Sequence, residues 1–140
     1  MKIVIVGAGK VGFVLAHMLS NEDHDVTVID RNPARIETVE ERLDVNSVLG
    51  SCTSTEVLAA AGVADADMLL AVTERDELNL VSCFIAKSYG VHYAIARVRS
   101  PEFANLDSET VKKALGIDLM TIPSALPPLR SVKCWIIPTL

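Results

Sequence analysis

The loop Gly7-Ala8-Gly9-Lys10-Val11-Gly12 constrains the fold of this chain more than any other stretch, because of what stands on either side of it. Ahead of it, Lys2-Ile3-Val4-Ile5-Val6 is an apolar run short enough for a buried strand. Behind it, Val11, Val14, Leu15, Met18 and Leu19 recur at helical spacing, residues 20–23 break the pattern, and Val26-Thr27-Val28-Ile29 forms a second apolar run that ends on Asp30. Strand, G-x-G-x-x-G, helix, strand and acid, in that order, make a dinucleotide-binding fingerprint. In that reading Gly7 permits the tight turn out of the strand, Gly9 lets backbone approach a pyrophosphate, and Gly12 lets the helix lie close on the sheet. The helix then aims its unpaired N–H groups and the positive end of its dipole at the phosphates. Asp30 follows by roughly the 20-residue spacing at which an acid accepts hydrogen bonds from the adenosine ribose hydroxyls. A carboxylate there repels a 2′-phosphate, so NAD(H) is expected ahead of NADP(H), with Arg31 the neighbouring cation that works against the preference.

Composition narrows the class further. A chain of 140 residues, half of them apolar, is enough for one domain with a substantial core and leaves no room for a second, catalytic one. A net charge of −5 without any basic run argues against nucleic acid, where clustered Lys and Arg must replace counterions. The chain starts on its first strand with no leader pattern and carries no apolar run of membrane-spanning length, so a soluble cytoplasmic protein, not itself inserted in a membrane, is expected. Cys52, Cys83 and Cys134 are odd in number and far apart, which fits reduced thiols and neither a disulfide framework nor a zinc site. His17, His24 and His92 are scattered outside ligand or base spacing, so neither a metal site nor a catalytic residue is expected.

Taken in order, Asn32-Pro33 reads as an N-cap and first helical residue, opening a helix through about Arg42 with a narrow apolar stripe of Ile36, Val39 and Leu43. Residues 45–49 make a third strand. Thr53 and Glu56 stand in capping-box spacing before a helix to Ala61, with Gly62 as its left-handed stop. Met68-Leu69-Leu70-Ala71-Val72 is a fourth buried strand with Thr73-Glu74 at its carboxyl end. The longest helix runs from Asp76 to about Tyr89, with Leu78, Val81 and Ile85 along one stripe and Leu80 and Phe84 beside it, more than one sheet face can cover. A fifth strand over residues 93–98, helical stretches from Ser100-Pro101-Glu102 and from Val111 to Leu115, and a short sixth strand over residues 117–120 complete the series. Apolar strands that alternate with helices mean a parallel sheet covered on both faces. The predicted fold is α/β: a doubly wound Rossmann sheet of six strands in the order 3-2-1-4-5-6.

Several separate motifs now agree. G-A-G-K-V-G, the V-I-D ending at Asp30, G-S-C-T at residues 50–53, D-A-D-M-L-L-A-V-T at residues 65–73 and I-A-R-V at residues 95–98 together resemble the nucleotide-binding N-terminal domain of the TrkA family, also called KTN or RCK domains. Small Rossmann dehydrogenases share the first motif and lack the later ones. The resemblance implies a cytoplasmic regulator of potassium uptake. Its ligands would be NAD(H) and also ATP or ADP, and it would bind a membrane potassium transporter or channel subunit at the inner face of the membrane. It would assemble as a homodimer or a higher ring. Carried onto matching positions, it implies that Gly7, Ala8, Gly9, Lys10, Val11 and Gly12 cradle phosphates and that Asp30 holds the ribose. Thr73 and Glu74 would line the cleft, and Arg97 would stand at the same edge on the fifth strand. Lys10 lies where some relatives have an arginine, and would meet a terminal phosphate as a point charge.

The competing class is an NAD-dependent oxidoreductase fragment, which needs a proton donor or acceptor near the nicotinamide and a second domain to exclude water; the sequence offers neither. Cys52 beside the site reads as a small packing residue in preference to a redox sensor. The Rossmann domain is assigned to residues 1–121 and an atypical tail to residues 122–140. There Ile122-Pro123-Ser124-Ala125-Leu126-Pro127-Pro128 forbids the crossover helix that leads to a C-terminal regulatory domain in relatives. With suitable codons, reading one nucleotide earlier gives Asn-Pro-Glu-Arg-Leu-Ala-Ala, the family's own kind of sequence, so a frameshift near Thr121 and absence of the C-terminal domain are expected.

Overall fold

A computed structural model of the chain describes residues 1–104 and 108–120. The tail assigned to residues 122–140, its frameshift and Cys134 lie outside the described residues. Six strands form one parallel sheet in the order β3-β2-β1-β4-β5-β6: β1 (Lys2–Val6), β2 (Asp25–Asp30), β3 (Asn46–Leu49), β4 (Met68–Ala71), β5 (Tyr93–Arg97) and β6 (Ile117–Met120). The intervening helices are α1 (Lys10–Asn21), α2 (Pro33–Arg42), α3 (Thr55–Ala60), α4 (Asp76–Ser88), α5 (Pro101–Ala104) and α6 (Ser108–Leu115). The order is the doubly wound one expected from the alternation, and it reverses between β1 and β4. At such a reversal the two connections leave in opposite directions and open a crevice beyond the carboxyl ends of the strands.

Alternation along each strand divides the core in two. Ile3 and Ile5 of β1 face one layer with Leu15 and Leu19 of α1 and Val39 of α2, whereas Val4 and Val6 face the other with Leu58 and with Cys83 and Ala86 of α4. Side chains of this size stabilise by about 1.5–3 kcal/mol each when fully buried, so the two layers fix the register of every central strand. A slip of one residue would exchange the layers.

Local differences from the sequence reading have physical causes. The N-cap of α3 is Ser54, whose hydroxyl accepts from the Val57 N–H, while the Thr53 hydroxyl pairs with Ser51; the expected Thr53–Glu56 box does not form. Gly62 is left-handed at φ +81°, as expected, but a 3-10 turn over Val63–Asp65 follows it directly. The inner face of α4 is built from Asp76, Asn79, Ser82, Cys83 and Ala86, because it lies against the alanines of β4 and β5, where large side chains do not fit. Val81 and Phe84 of the expected stripes are consequently turned outward, 43% and 55% exposed.

Candidate functional site

The site grows out of the end of β1. Gly7 adopts φ +104°, a region side chains rarely enter, and a Cβ there would lie 3.1 Å from the Thr73 amide. That turn carries the chain into α1, whose Gly12 sits so close to the Gly7 carbonyl that a Cβ would overlap its oxygen. Gly9 differs: the nearest atom to its missing Cβ is a guanidinium nitrogen of Arg35 at 3.5 Å, so its backbone faces open space. The first turn of α1 has no side-chain cap and no acid, which leaves N–H groups and the positive dipole end available to an anion. A cradle that a Cβ would fill and an uncapped helix start fit the phosphate part of a nucleotide.

Asp30, at the end of β2, locks this loop to the neighbouring strand. Its Oδ2 accepts from the Ala8 N–H at 2.7 Å and its Oδ1 from the Asn32 N–H at 2.8 Å, with the side chain only 8% exposed. Two lone-pair directions of a carboxylate remain after those bonds, so Asp30 keeps capacity for a ligand hydroxyl. Arg35 stands 3.8 Å from Oδ2. A cleft of about 300 Å³ opens beside them, with Gly7, Asp30, Arg31 and Arg35 on one side, residues 50–53 on another and Thr73, Glu74, Arg75 and Leu78 closing it. That volume is at the small end of ligand pockets, about 300–1,000 Å³.

Of the residues singled out from sequence, Gly7, Asp30, Thr73 and Glu74 line this cleft together. Ala8 is buried in the loop behind it and Val11 and Gly12 in the first turn of α1, Gly9 is half-buried, and Lys10 is exposed as the first residue of α1. Lys10 and Arg97 are not among the lining residues. Arg97 ends β5, with its Nε buried and unpartnered among the described residues. Burial lowers its pKa, the nearby Arg99 adds to that, and Asp76 and Glu74 oppose it; a guanidinium stays charged regardless. Cys52 is buried in the cleft wall. Among the described residues no cluster of His, Cys, Asp or Glu could hold a metal.

Three residues escaped the sequence reading. Asn79, fully buried on α4, accepts from the Thr73 amide and hydroxyl and donates to the carbonyls of Thr73 and Arg97, clipping the ends of β4 and β5 together. Asp76, also buried, accepts from the amides of Arg99 and Ser100 and so fixes the chain after β5. Both looked like ordinary polar positions of a helix; their signal was a polar residue on the face that should have been apolar. Arg35 looked like one charge on a solvated face. Its signal was position, a cation in the first turn of a helix, where the dipole disfavours one.

Against this geometry, residues 3–123 match the model of the TrkA-N domain. The chain is 44% identical over 129 residues to the Trk system potassium uptake protein TrkA of Azorhizobium caulinodans, covering 91% of this chain and 28% of that one. It is equally, 44%, identical over 124 residues to the Trk system potassium uptake protein TrkA homolog of Archaeoglobus fulgidus, covering 88% and 28%. The chain thus spans under a third of the length of these relatives. Among solved structures it superposes on the TrkA-N domain of the inner membrane protein ybaL from Escherichia coli with a TM-score of 0.73 at 20% identity, covering 99% and 96% of the two chains. It superposes on the GsuK channel bound to NAD with a TM-score of 0.67 at 27% identity, covering 81% and 20%.

Proposed function

The chain belongs to the TrkA-N domain family, and from that premise we propose that it is the NAD(H)-binding regulatory domain of a Trk-type potassium transport system, acting by ligand-dependent conformational change and not by catalysis. One observation carries the reading: a nearly buried carboxylate, Asp30, that secures the glycine loop and still opens onto a cleft beside an uncapped helix start. The GsuK channel, part of which shares this fold, was solved bound to NAD, and the relatives are named for potassium uptake rather than for a reaction.

In this proposal the loop from Gly7 to Gly12 receives the phosphates, Asp30 accepts from the ribose, and Thr73 and Glu74 border the cleft. Lys10 and Arg97, outside the lining, meet the more distal and more variable phosphate end, where ADP and ATP differ in charge. A regulator must bind two ligands or two conformations unequally, since equal affinity for both states shifts nothing. No described helix is long and apolar enough to cross a membrane. The partner is a membrane transporter or channel subunit, reached from the cytoplasmic side. A homodimer or ring is held in part by α4, whose Val81 and Phe84 face outward.

Calorimetric titration of NAD, NADH, NADP, ADP and ATP tests the reading. Asp30→Ala should weaken NAD(H) by about 1.5–3 kcal/mol, the range for hydrogen bonds to a charged group, and NADP by less. Absence of binding by the wild-type chain, or equal losses for NAD and NADP, would count against it.

A further inference from the structure

We propose that Arg35 is a specificity residue of the nucleotide site: it reads the 5′-phosphate of an adenosine nucleotide, leaving the Asp30 carboxylate to make that contact. The inference rests on the nucleotide-binding reading and names a residue and a ligand group which that reading leaves open.

Four observations converge. Arg35 occupies the first turn of α2, which contains no acid, so its charge is placed where the helix dipole opposes it. An arginine held there gains only if an anion comes to it. The anion present in the chain is Asp30, yet Nη1 stays 3.8 Å from Oδ2, well outside the roughly 2.7–2.9 Å of a charge-assisted hydrogen bond. One lone pair of that same Oδ2 is already taken by the Ala8 amide at 2.7 Å. Arg35 is therefore a loosely held second claimant, and its side chain is 44% exposed and lines the cleft. Finally, among the described residues and apart from its chain neighbours, the Arg35 guanidinium alone comes within 4 Å of the Cβ that Gly9 lacks, and Gly9 is the glycine whose bare backbone admits a pyrophosphate. A phosphate on that backbone meets the planar fork of Arg35, which suits two phosphate oxygens as no lysine does. Once it lets go of Asp30, the carboxylate is free of a competing cation.

A 2′-phosphate offers the same chemistry from the other end of the ribose, so the test separates the two. Binding of adenosine, 5′-AMP, 2′-AMP and ADP is measured calorimetrically on the full chain, wild type against Arg35→Gln and Arg35→Lys. Arg35→Gln should lose about tenfold or more for 5′-AMP and ADP, as expected for a lost charged hydrogen bond, and hold adenosine within about threefold, since Asp30 is untouched. Arg35→Lys should recover part of the loss. Equal losses for adenosine and 5′-AMP, or a loss confined to 2′-AMP, would overturn the assignment while leaving nucleotide binding intact. Wild-type protein that binds NAD but neither 5′-AMP nor ADP would overturn the assignment alone; wild-type protein that binds neither NAD nor any of the four would defeat the nucleotide reading and this inference with it.

Discussion

Replacing Asn79 with Ala removes a buried side chain that ties the carboxyl ends of β4 and β5 to each other. Its Oδ1 accepts from the Thr73 N–H at 2.9 Å and from the Thr73 hydroxyl at 2.6 Å; its Nδ2 donates to the Thr73 carbonyl at 3.1 Å and the Arg97 carbonyl at 2.8 Å. After truncation the Thr73 hydroxyl keeps the Arg75 carbonyl, 3.1 Å away. The Thr73 N–H and both carbonyls lose their partner. Each buried polar group left unsatisfied costs about 1–3 kcal/mol. Water entering the gap rehydrates part of this set, because Thr73 borders the open cleft. The net loss should then be about 3–5 kcal/mol, or roughly a 2 M fall in urea midpoint at the m-value of a domain this size. Urea denaturation read by circular dichroism measures it, and calorimetry on the folded variant should show weaker NAD binding because Thr73 has lost its anchor. A loss below about 1 kcal/mol, within the reach of an ordinary surface change, would show that Asn79 does not hold the cleft edge.

Gly12→Ala should abolish nucleotide binding and destabilise the chain: Ala gains about 1 kcal/mol of helix propensity, but its Cβ would overlap the Gly7 carbonyl oxygen and force the loop apart. A variant with native melting and affinity would refute the close approach. Burial raises the Cys83 pKa far above the thiol range, so the neutral thiol favours the fold up to the ordinary thiol pKa of about 8.5, and that contribution declines as pH rises beyond it. Cys83 should resist alkylation at pH 8 until urea unfolds the chain, as mass mapping would reveal, and Cys83→Ala should flatten the alkaline fall in stability; rapid native labelling would contradict both. Phe84→Glu, at a side chain 55% exposed, should leave the melting temperature nearly unchanged and shift the mass measured by light scattering from dimer to monomer; a wild-type chain that is monomeric at high concentration would remove α4 from assembly.

Strand order and the place of the cleft were legible in the sequence because both follow from short-range pattern. Apolar runs of strand length alternating with helical periods leave few topologies, and the glycine loop marks where the first connection begins. Gly7, Gly62 and Asp30 could be assigned from residue type, since a positive φ or a strand-ending acid is a local demand. Capping at Ser54 was not legible: Thr53 and Ser54 are chemically near-equal, and only the Ser51 hydroxyl, folded back onto Thr53, decided between them. Nor was the orientation of α4, because periodicity counts apolar residues while the alanine surface of β4 and β5 selects small ones. Asn79 and Arg35 take their meaning from partners 6 and 18 residues away in Asn79's case and from an acid on the preceding strand in Arg35's. The sequence determined which elements exist and in what order they pack; distances across the sheet edge, which set where a polar side chain finds its partners, came only with the tertiary structure.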